Sequence, residues 1–219
     1  MKKGQLICFT GIDGSGKTTQ AKKLLAALKK RNIDAIYSWT RREPYLIKPI
    51  VVLVKRILKE PSKSEGKDYL SVKKKRKGTL FKSTLIQKMW IYVAILDYYV
   101  KLSSQIYLPL YRGKVVICDR YVPDMVADFA ANFDYNNHKI RELLRNPLLK
   151  LFPMPDKSFY IKIPASLGYK RKSDGTSLEY LLDREKIYDF LAKEMNMFVV
   201  DGTRDIEEIF KKIKGVMGI

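Results

Sequence analysis

One stretch decides the fold: Gly11-Ile12-Asp13-Gly14-Ser15-Gly16-Lys17-Thr18. It fits the phosphate-loop (P-loop) pattern G-x-x-x-x-G-K-[ST] at every fixed position. The glycines let the backbone turn tightly, so that successive N–H groups point into one concavity where a polyphosphate binds at the start of a helix. We expect Lys17 to reach the β- and γ-phosphates of a nucleotide and the Thr18 hydroxyl to hold Mg²⁺.

The sequence on either side of the loop supplies the context that the motif requires. Residues 6–10 are a short, apolar, β-prone run directly before it, and residues 19–28 are helix-forming directly after it. Strand, loop and helix in this order favour a nucleotide-binding P-loop over a glycine turn beside an unrelated lysine.

Length and charge narrow the class of protein. At 219 residues the chain is expected to form a single domain over residues 1–219, large enough to bury a sizeable core. Its 43 Lys+Arg against 23 Asp+Glu give a formal charge of +20, which attracts nucleotides, nucleic acid or an acidic membrane surface. A lysine-rich proteome would give the same excess, so charge alone does not decide the function.

Cysteine and histidine usage argue against a zinc site, a His-based site and disulfide bonds. Cys8 and Cys118 each lie in an apolar, strand-like run, so buried free thiols and a reducing, cytoplasmic compartment are expected. His138 is the only histidine and lies in a polar stretch, which disfavours a His-based triad or metal site. We see no signal peptide, and the apolar stretch at residues 89–100 is too short to span a bilayer.

Hydrophobic patterning predicts an α/β fold in which strands alternate with helices. Such alternation favours a parallel sheet with helices on both faces. The predicted strands are residues 5–10, 34–39, 115–118, 157–163 and 198–200. The predicted helices are residues 17–31, 47–58, 80–111, 123–132, 138–144, 177–193 (with Ser177 as N-cap) and 205–217.

Two segments stand apart from this pattern. Residues 59–78 are rich in breakers and basic residues, which predicts an exposed, mobile insertion. Its uninterrupted basic run, open to a nucleic-acid or membrane contact, is Lys73, Lys74, Lys75, Arg76 and Lys77. A second basic, glycine-containing stretch at residues 166–176 is predicted to form a short lid over phosphates.

Several motifs, taken in order, resemble the thymidylate kinase family of nucleoside monophosphate kinases. They are spread along most of the chain: Phe9 to Gln20, Arg42-Glu43-Pro44, Asp119-Arg120-Tyr121, Pro155-Asp156 before Phe159-Tyr160, and Asp201-Gly202-Thr203 before Glu207-Glu208. The P-loop alone is shared by many enzymes, whereas this ordered set is fairly specific. The resemblance implies a P-loop NTPase fold with a five-stranded parallel sheet, ATP and Mg²⁺ as cofactors, and transfer of the γ-phosphate to a nucleoside monophosphate, with thymidylate as the first choice.

The resemblance also implies roles for individual residues. Arg42 would grip the acceptor phosphate, Asp13 would face the acceptor sugar, and Asp119 and Arg120 would organise the Mg²⁺ and acceptor-phosphate region. Asp119 would join Thr18 as a metal ligand. Lys170, Arg171 and Lys172 would be the lid cations, which neutralise charge on the transferred group. Gly202 and Thr203 would border the adenine of ATP. Together with them, the nucleotide-binding residues would be Gly11, Asp13, Gly14, Ser15, Gly16, Lys17, Thr18 and Thr19. A homodimer is also possible.

The chain departs from the family pattern where the family reads the thymine base. The base-reading arginine falls at Tyr98 or Tyr99, and the stacking phenylalanine at Ala94 or Ile95. Asp124 stands where the family has a serine, and Asp128 lies in the region of its Tyr-Gln pair. We therefore expect tyrosine hydroxyls and carboxylates, among them the Asp97 carboxylate, to line the base-binding cleft. We also expect slow or relaxed phosphorylation of thymidylate.

Two alternative functions stay open at this point. One is a kinase of the same fold that acts on another nucleotide or on a phosphorylated small molecule, which a substrate panel would distinguish. The other is a nucleotide-dependent nucleic-acid-binding protein that uses the basic run at residues 73–77, for which salt-dependent binding would be diagnostic.

Overall fold

The structure is a computed structural model that describes residues 4–40, 84–172 and 176–219. The predicted helix at residues 47–58 and the predicted insertion at residues 59–78 lie outside the described residues, as does Arg42. Element labels below count only the described part of the chain.

The described residues form a five-stranded sheet in the order β2-β3-β1-β4-β5, in which all neighbours are parallel. The strands are β1 (Gln5–Thr10), β2 (Ala35–Trp39), β3 (Val115–Asp119), β4 (Lys157–Lys162) and β5 (Phe198–Asp201). The predicted fold class is therefore confirmed. In such sheets ligands bind beyond the carboxyl ends of the strands, which here carry the P-loop after β1 and Asp119 at the end of β3.

Helices cover both faces of this sheet. They are α1 (Lys17–Lys30), α2 (Thr84–Leu102), α3 (Leu108–Tyr111), α4 (Val122–Phe133), α5 (Asn137–Leu144), α6 (Ala165–Arg171), α7 (Leu178–Glu194) and α8 (Ile206–Met217). Ser177 caps α7 as predicted, because its hydroxyl accepts a hydrogen bond from the Tyr180 N–H. Within the described residues no helix has both the length and the apolar character needed to cross a membrane.

The central strand β1 contributes side chains to two separate hydrophobic layers. Successive side chains of a strand point to opposite faces. Leu6 and Cys8 therefore pack into the layer formed with α2, α4 and α7, whereas Ile7 and Phe9 pack into the layer formed with α1 and α8. Burial on both faces explains why the strand reads as a continuous apolar run. Cys8 and the neighbouring Cys118 are buried free thiols, as predicted.

The predicted helical stretch over residues 80–111 is helical throughout its described part, residues 84–111, although it is not one continuous α-helix. A π-helical segment, Ser103–Tyr107, separates α2 from α3. Two local features explain the wider turn: Pro109 has no N–H to donate, and the Ser103 hydroxyl donates to the Tyr99 carbonyl at 2.9 Å. Gly113, with φ 77°, ends the segment as expected.

Candidate active site

The P-loop adopts a backbone that only glycine tolerates well at several positions. Gly11, Gly14 and Gly16 have φ values of 143°, 80° and 85°. A Cβ on Gly11 would also lie 2.6 Å from the Ile161 carbonyl oxygen of β4. Gly16 is the N-cap of α1, so the helix begins at Lys17 with its unpaired N–H groups beside the loop.

A second glycine contact holds α6 against the loop. A Cβ on Gly168 would lie 2.8 Å from the Asp13 carbonyl oxygen, and one on Gly14 would lie 2.8 Å from the Gly168 carbonyl oxygen. The predicted lid therefore begins as a helix whose backbone contacts the P-loop directly. Residues 173–175 of the predicted lid lie outside the described residues.

Lys17 lies inside the loop rather than in solvent. Its side chain is buried, its Nζ donates to the Ile12 carbonyl at 3.1 Å, and it lies 3.6 Å from the Asp13 carboxylate. Burial, followed by repulsion from Arg120, lowers the pKa of Lys17 to about 8. The charges of Asp13, Asp124 and Asp119 oppose this lowering of the pKa, and the ammonium group lies inside the cradle where phosphates would bind.

Asp13 is paired with cations on the floor of the site. Its carboxylate forms ion pairs with Arg120 and Lys17. Burial alone would raise the pKa of Asp13, but the charges of Arg120 and Lys17 hold it well below its usual range. Asp13 is thus an anion that orients both cations.

The two carboxylate oxygens of Asp119 differ in their contacts with the described residues. Its Oδ2 accepts hydrogen bonds from the Thr18 hydroxyl at 2.5 Å and from the Tyr37 hydroxyl at 2.8 Å. Its Oδ1 is buried and has no hydrogen-bond partner among the described residues. Ser15 Oγ in the P-loop is likewise buried and unpartnered within them. The structure thus brings together Thr18 and Asp119, the two metal ligands expected from the sequence.

The Gly202-Thr203 turn lies next to the P-loop. Arg171 Nη1 is 3.3 Å from the Gly14 carbonyl oxygen and 3.4 Å from that of Gly202, so one exposed guanidinium links the two segments. Gly202 has no room for a side chain, because a Cβ would lie 2.8 Å from both Ile161 and Ile163. The two predicted nucleotide-binding segments are therefore neighbours in space, with Thr19 and Lys170 exposed at the same end of the sheet.

Comparison with known proteins places the chain in one family. The sequence model described as thymidylate kinase matches residues 50–213. The chain belongs to the thymidylate kinase family. This match begins beyond the P-loop, so the assignment of residues 11–18 rests on the motif and on the geometry above.

Full-length relatives agree with the family match. The chain is 28% identical to the thymidylate kinase of Plasmodium falciparum over 97% of its own length and 89% of the relative's. It is 26% identical to that of Mycoplasmopsis pulmonis, with 96% and 86% covered, and 29% identical to a probable thymidylate kinase of Pyrococcus horikoshii, with 96% and 94% covered. As a family member, the chain is a nucleoside monophosphate kinase that uses ATP as a substrate.

The sequence predicts a departure from the thymidylate kinase pattern on the acceptor side. Tyr98, one of the two positions counted for the base-reading arginine, is only 1% exposed and donates its hydroxyl to the Thr40 carbonyl at 2.5 Å. It packs against Phe152, with ring centroids 5.6 Å apart. The prediction that Tyr98 offers a hydroxyl to the cleft is therefore wrong, because that hydroxyl is buried and bonded to a main-chain carbonyl. Asp97 is buried too, at 6% exposure.

Sequence reasoning missed three residues that contact predicted site residues. Tyr37, on β2, donates its hydroxyl to Asp119. Arg184, on α7, forms an ion pair at 2.5 Å with Asp128 of α4. Tyr188, also on α7, donates to Asp124 at 2.8 Å. The only signal for Arg184 was an arginine at a core-facing position of an amphipathic helix, which needs a buried partner.

Proposed function

We propose that this chain transfers the γ-phosphate of ATP to thymidylate in a single in-line displacement, without a covalent enzyme intermediate. Family membership and the near full-length thymidylate kinase relatives support this activity over the alternative acceptors and over nucleic-acid binding. A phosphate oxygen of the acceptor attacks the γ-phosphorus, and ADP leaves. Catalysis of this kind consists of positioning and of neutralising charge.

The ATP side of the reaction falls to the P-loop and its neighbours. Backbone N–H groups of the loop and of the first turn of α1 would bind the phosphates, and Lys17 would neutralise charge that grows on the β- and γ-oxygens. Arg171 would reach the same phosphates, a role supported by its contacts with the carbonyl oxygens of Gly14 and Gly202. The Gly202-Thr203 turn would border the adenine.

The described residues fit Mg²⁺. The observation that carries the assignment is the Oδ1 of Asp119, which is buried and has no hydrogen-bond partner in the described part of the chain, whereas its Oδ2 accepts from Thr18 and Tyr37. Mg²⁺ in kinase sites is held by one or two protein oxygens together with phosphates and water. Thr18 and Asp119 would supply those oxygens, and the ion would neutralise charge on the β- and γ-phosphates.

We propose residues that bind the acceptor from the sequence motifs and from the ion pairs around Arg120. Arg120 is fixed between Asp13 and Asp124, so its guanidinium cannot swing freely. We assign Arg42 and Arg120 to the acceptor phosphate and Asp13 to the acceptor sugar. Arginine suits the first task because its planar fork binds phosphate oxygens in pairs.

Substitution of Asp119 tests the proposal. Asp119→Asn keeps the shape of the side chain but removes the anionic oxygen, so phosphoryl transfer at saturating ATP should fall by about a hundredfold or more, as for other lost charge stabilisers. The matched control is Asp34→Asn, whose carboxylate forms an exposed ion pair with Lys114 at the opposite end of the sheet. Equal activities of the two variants would contradict the role of Asp119.

Three further properties remain proposals from sequence. These are a cytoplasmic location, a homodimer, and a nucleic-acid contact through the basic run at residues 73–77, which is the least favoured of the three. Binding of labelled RNA and DNA at two salt concentrations would test the last, since each neutralised phosphate steepens the salt dependence.

A further inference from the structure

A buried hydrogen-bond relay connects α7 to the Asp119-Arg120-Tyr121 motif. At its centre is Asp124, which is 2% exposed and accepts four hydrogen bonds. Its Oδ2 accepts from Thr10 Oγ1 at 2.9 Å and from the Tyr121 N–H at 3.0 Å. Its Oδ1 accepts from the Tyr188 hydroxyl at 2.8 Å and from Arg120 Nη1 at 3.4 Å.

The relay continues from Tyr188 to Arg184. Arg184 is 3% exposed, and its Nη2 donates to the Tyr188 hydroxyl at 3.0 Å while Nη1 pairs with Asp128 at 2.5 Å. Its Cζ also lies 5.2 Å and 5.5 Å from the ring centres of Tyr180 and Tyr188. A guanidinium held by a carboxylate, a hydroxyl and two rings has one position available to it.

The direction of these hydrogen bonds is fixed by chemistry. Arginine has donors and no acceptor, so the Tyr188 oxygen must accept from Arg184 and its proton must point to Asp124. Burial raises the pKa of Asp124, while the charges of Arg120 and Lys17 and the bonds from Tyr121 and Tyr188 oppose that rise. Each donor therefore helps keep Asp124 ionised, which is the state that attracts Arg120.

Arg120 is the end of the relay that faces the site. Its backbone is in the left-handed region at φ 73°, and its N–H donates to the Phe9 carbonyl at 2.9 Å. Its guanidinium joins Asp13 in the P-loop to Asp124 in α4. Since its main chain is anchored, the side-chain position depends on these two carboxylates, and one of them is set by Tyr188 and Arg184.

We infer that Arg184 and Tyr188 are positioning residues for Arg120, which they hold in place through Asp124 so that it can bind the acceptor phosphate. The inference rests on the acceptor role proposed for Arg120. Neither α7 residue touches the reacting atoms. Their loss should weaken use of the acceptor and leave use of ATP unchanged.

Two matched Tyr→Phe variants on the same helix–strand interface test this. Tyr188→Phe removes the hydroxyl between Arg184 and Asp124. Tyr160→Phe removes a hydroxyl that donates to Asp189 of α7 at 3.0 Å, next to the same Tyr188 ring but outside the relay. Tyr188→Phe should raise the acceptor KM by about tenfold, the effect of one lost bond to a charged group, with the ATP KM unchanged.

A purely structural role predicts a different pattern. In that case both variants would lower the melting temperature, and the acceptor KM of Tyr188→Phe would match that of Tyr160→Phe, which would overturn the inference. Arg184→Lys serves as a second variant, because lysine keeps the charge but cannot bridge Asp128 and Tyr188 as a planar fork does. Arg184→Lys should also raise the acceptor KM, as Tyr188→Phe does.

A double-mutant cycle tests whether the effect passes through Arg120. With Arg120→Lys as background, Tyr188→Phe should change the acceptor KM less than twofold, because there is no guanidinium left to position. Effects that multiply independently would contradict the relay. If the wild-type chain does not phosphorylate thymidylate, the proposed acceptor is wrong, and the same cycle with the nucleoside monophosphate it turns over fastest still tests the relay.

Discussion

Because α6 contacts the P-loop through Gly168, we predict that alanine at this helical position destabilises the protein. Replacing glycine by alanine inside a helix ordinarily stabilises a protein by about 0.5–1 kcal/mol. At Gly168 the new Cβ would lie 2.8 Å from the Asp13 carbonyl oxygen and 3.1 Å from Ile12 Cδ1. Overpacking against backbone costs about 1–3 kcal/mol, so the net effect of Gly168→Ala should be destabilisation by up to about 2 kcal/mol.

Gly215→Ala is the matched control. Gly215 lies in α8 and is exposed, and within the described residues no heavy atom lies within 4 Å of the position that its Cβ would take. This variant should raise the melting temperature by about 2–4 °C per kcal/mol gained, whereas Gly168→Ala should lower it. Because the clash displaces the backbone of Asp13, Gly168→Ala should also raise the ATP KM. Equal stabilisation by both substitutions, with an unchanged ATP KM, would refute the proposed contact.

Four further outcomes are expected. Lys17→Met should reduce turnover by about a hundredfold or more and leave the melting temperature near that of wild type, as measured by coupled assay and thermal melting. Arg42→Ala should raise the acceptor KM far more than it weakens ATP binding; the reverse pattern would show that its role is misassigned. Tyr37→Phe, which removes one donor to Asp119, should raise the Mg²⁺ concentration needed for tight ATP binding in a titration. Deleting residues 61–78 with a short linker should lower the melting temperature by less than about 10 °C, since a larger drop would mean a packed segment.

Local patterns predicted the elements that hold the nucleotide side of the site. The strand at residues 5–10 and the start of α1 at Lys17 agree with the structure, and Asp119 ends β3 beside Thr18 as the motif implied. These features depend on apolar runs, glycines and caps that lie within a few residues of one another. The signal for them is therefore contained in the sequence itself.

Contacts between distant segments could not be predicted in the same way. Tyr37 lies 82 residues from Asp119, and Tyr188 lies 64 residues from Asp124. Nothing in the local sequence says which carboxylate a buried tyrosine or arginine will meet, because that depends on how helices pack on the sheet. The break in the helix at residues 103–107 was missed for a related reason: a proline one turn downstream permits a π-helical turn but does not require it.

The acceptor assay tests the central claim most directly. The wild-type chain with ATP and Mg²⁺ should be given thymidylate, uridylate, cytidylate, adenylate, guanylate and phosphorylated sugars, and diphosphate product should be measured, with Lys17→Met as the inactive control. We predict that thymidylate is phosphorylated, with a preference well below the ~10⁴-fold or more that a site built to hydrogen-bond its substrate achieves. The sequence places tyrosine, at residue 98 or 99, where the family pattern has its base-reading arginine, and Tyr98 is buried in the core. Turnover of another acceptor with none of thymidylate would contradict the account.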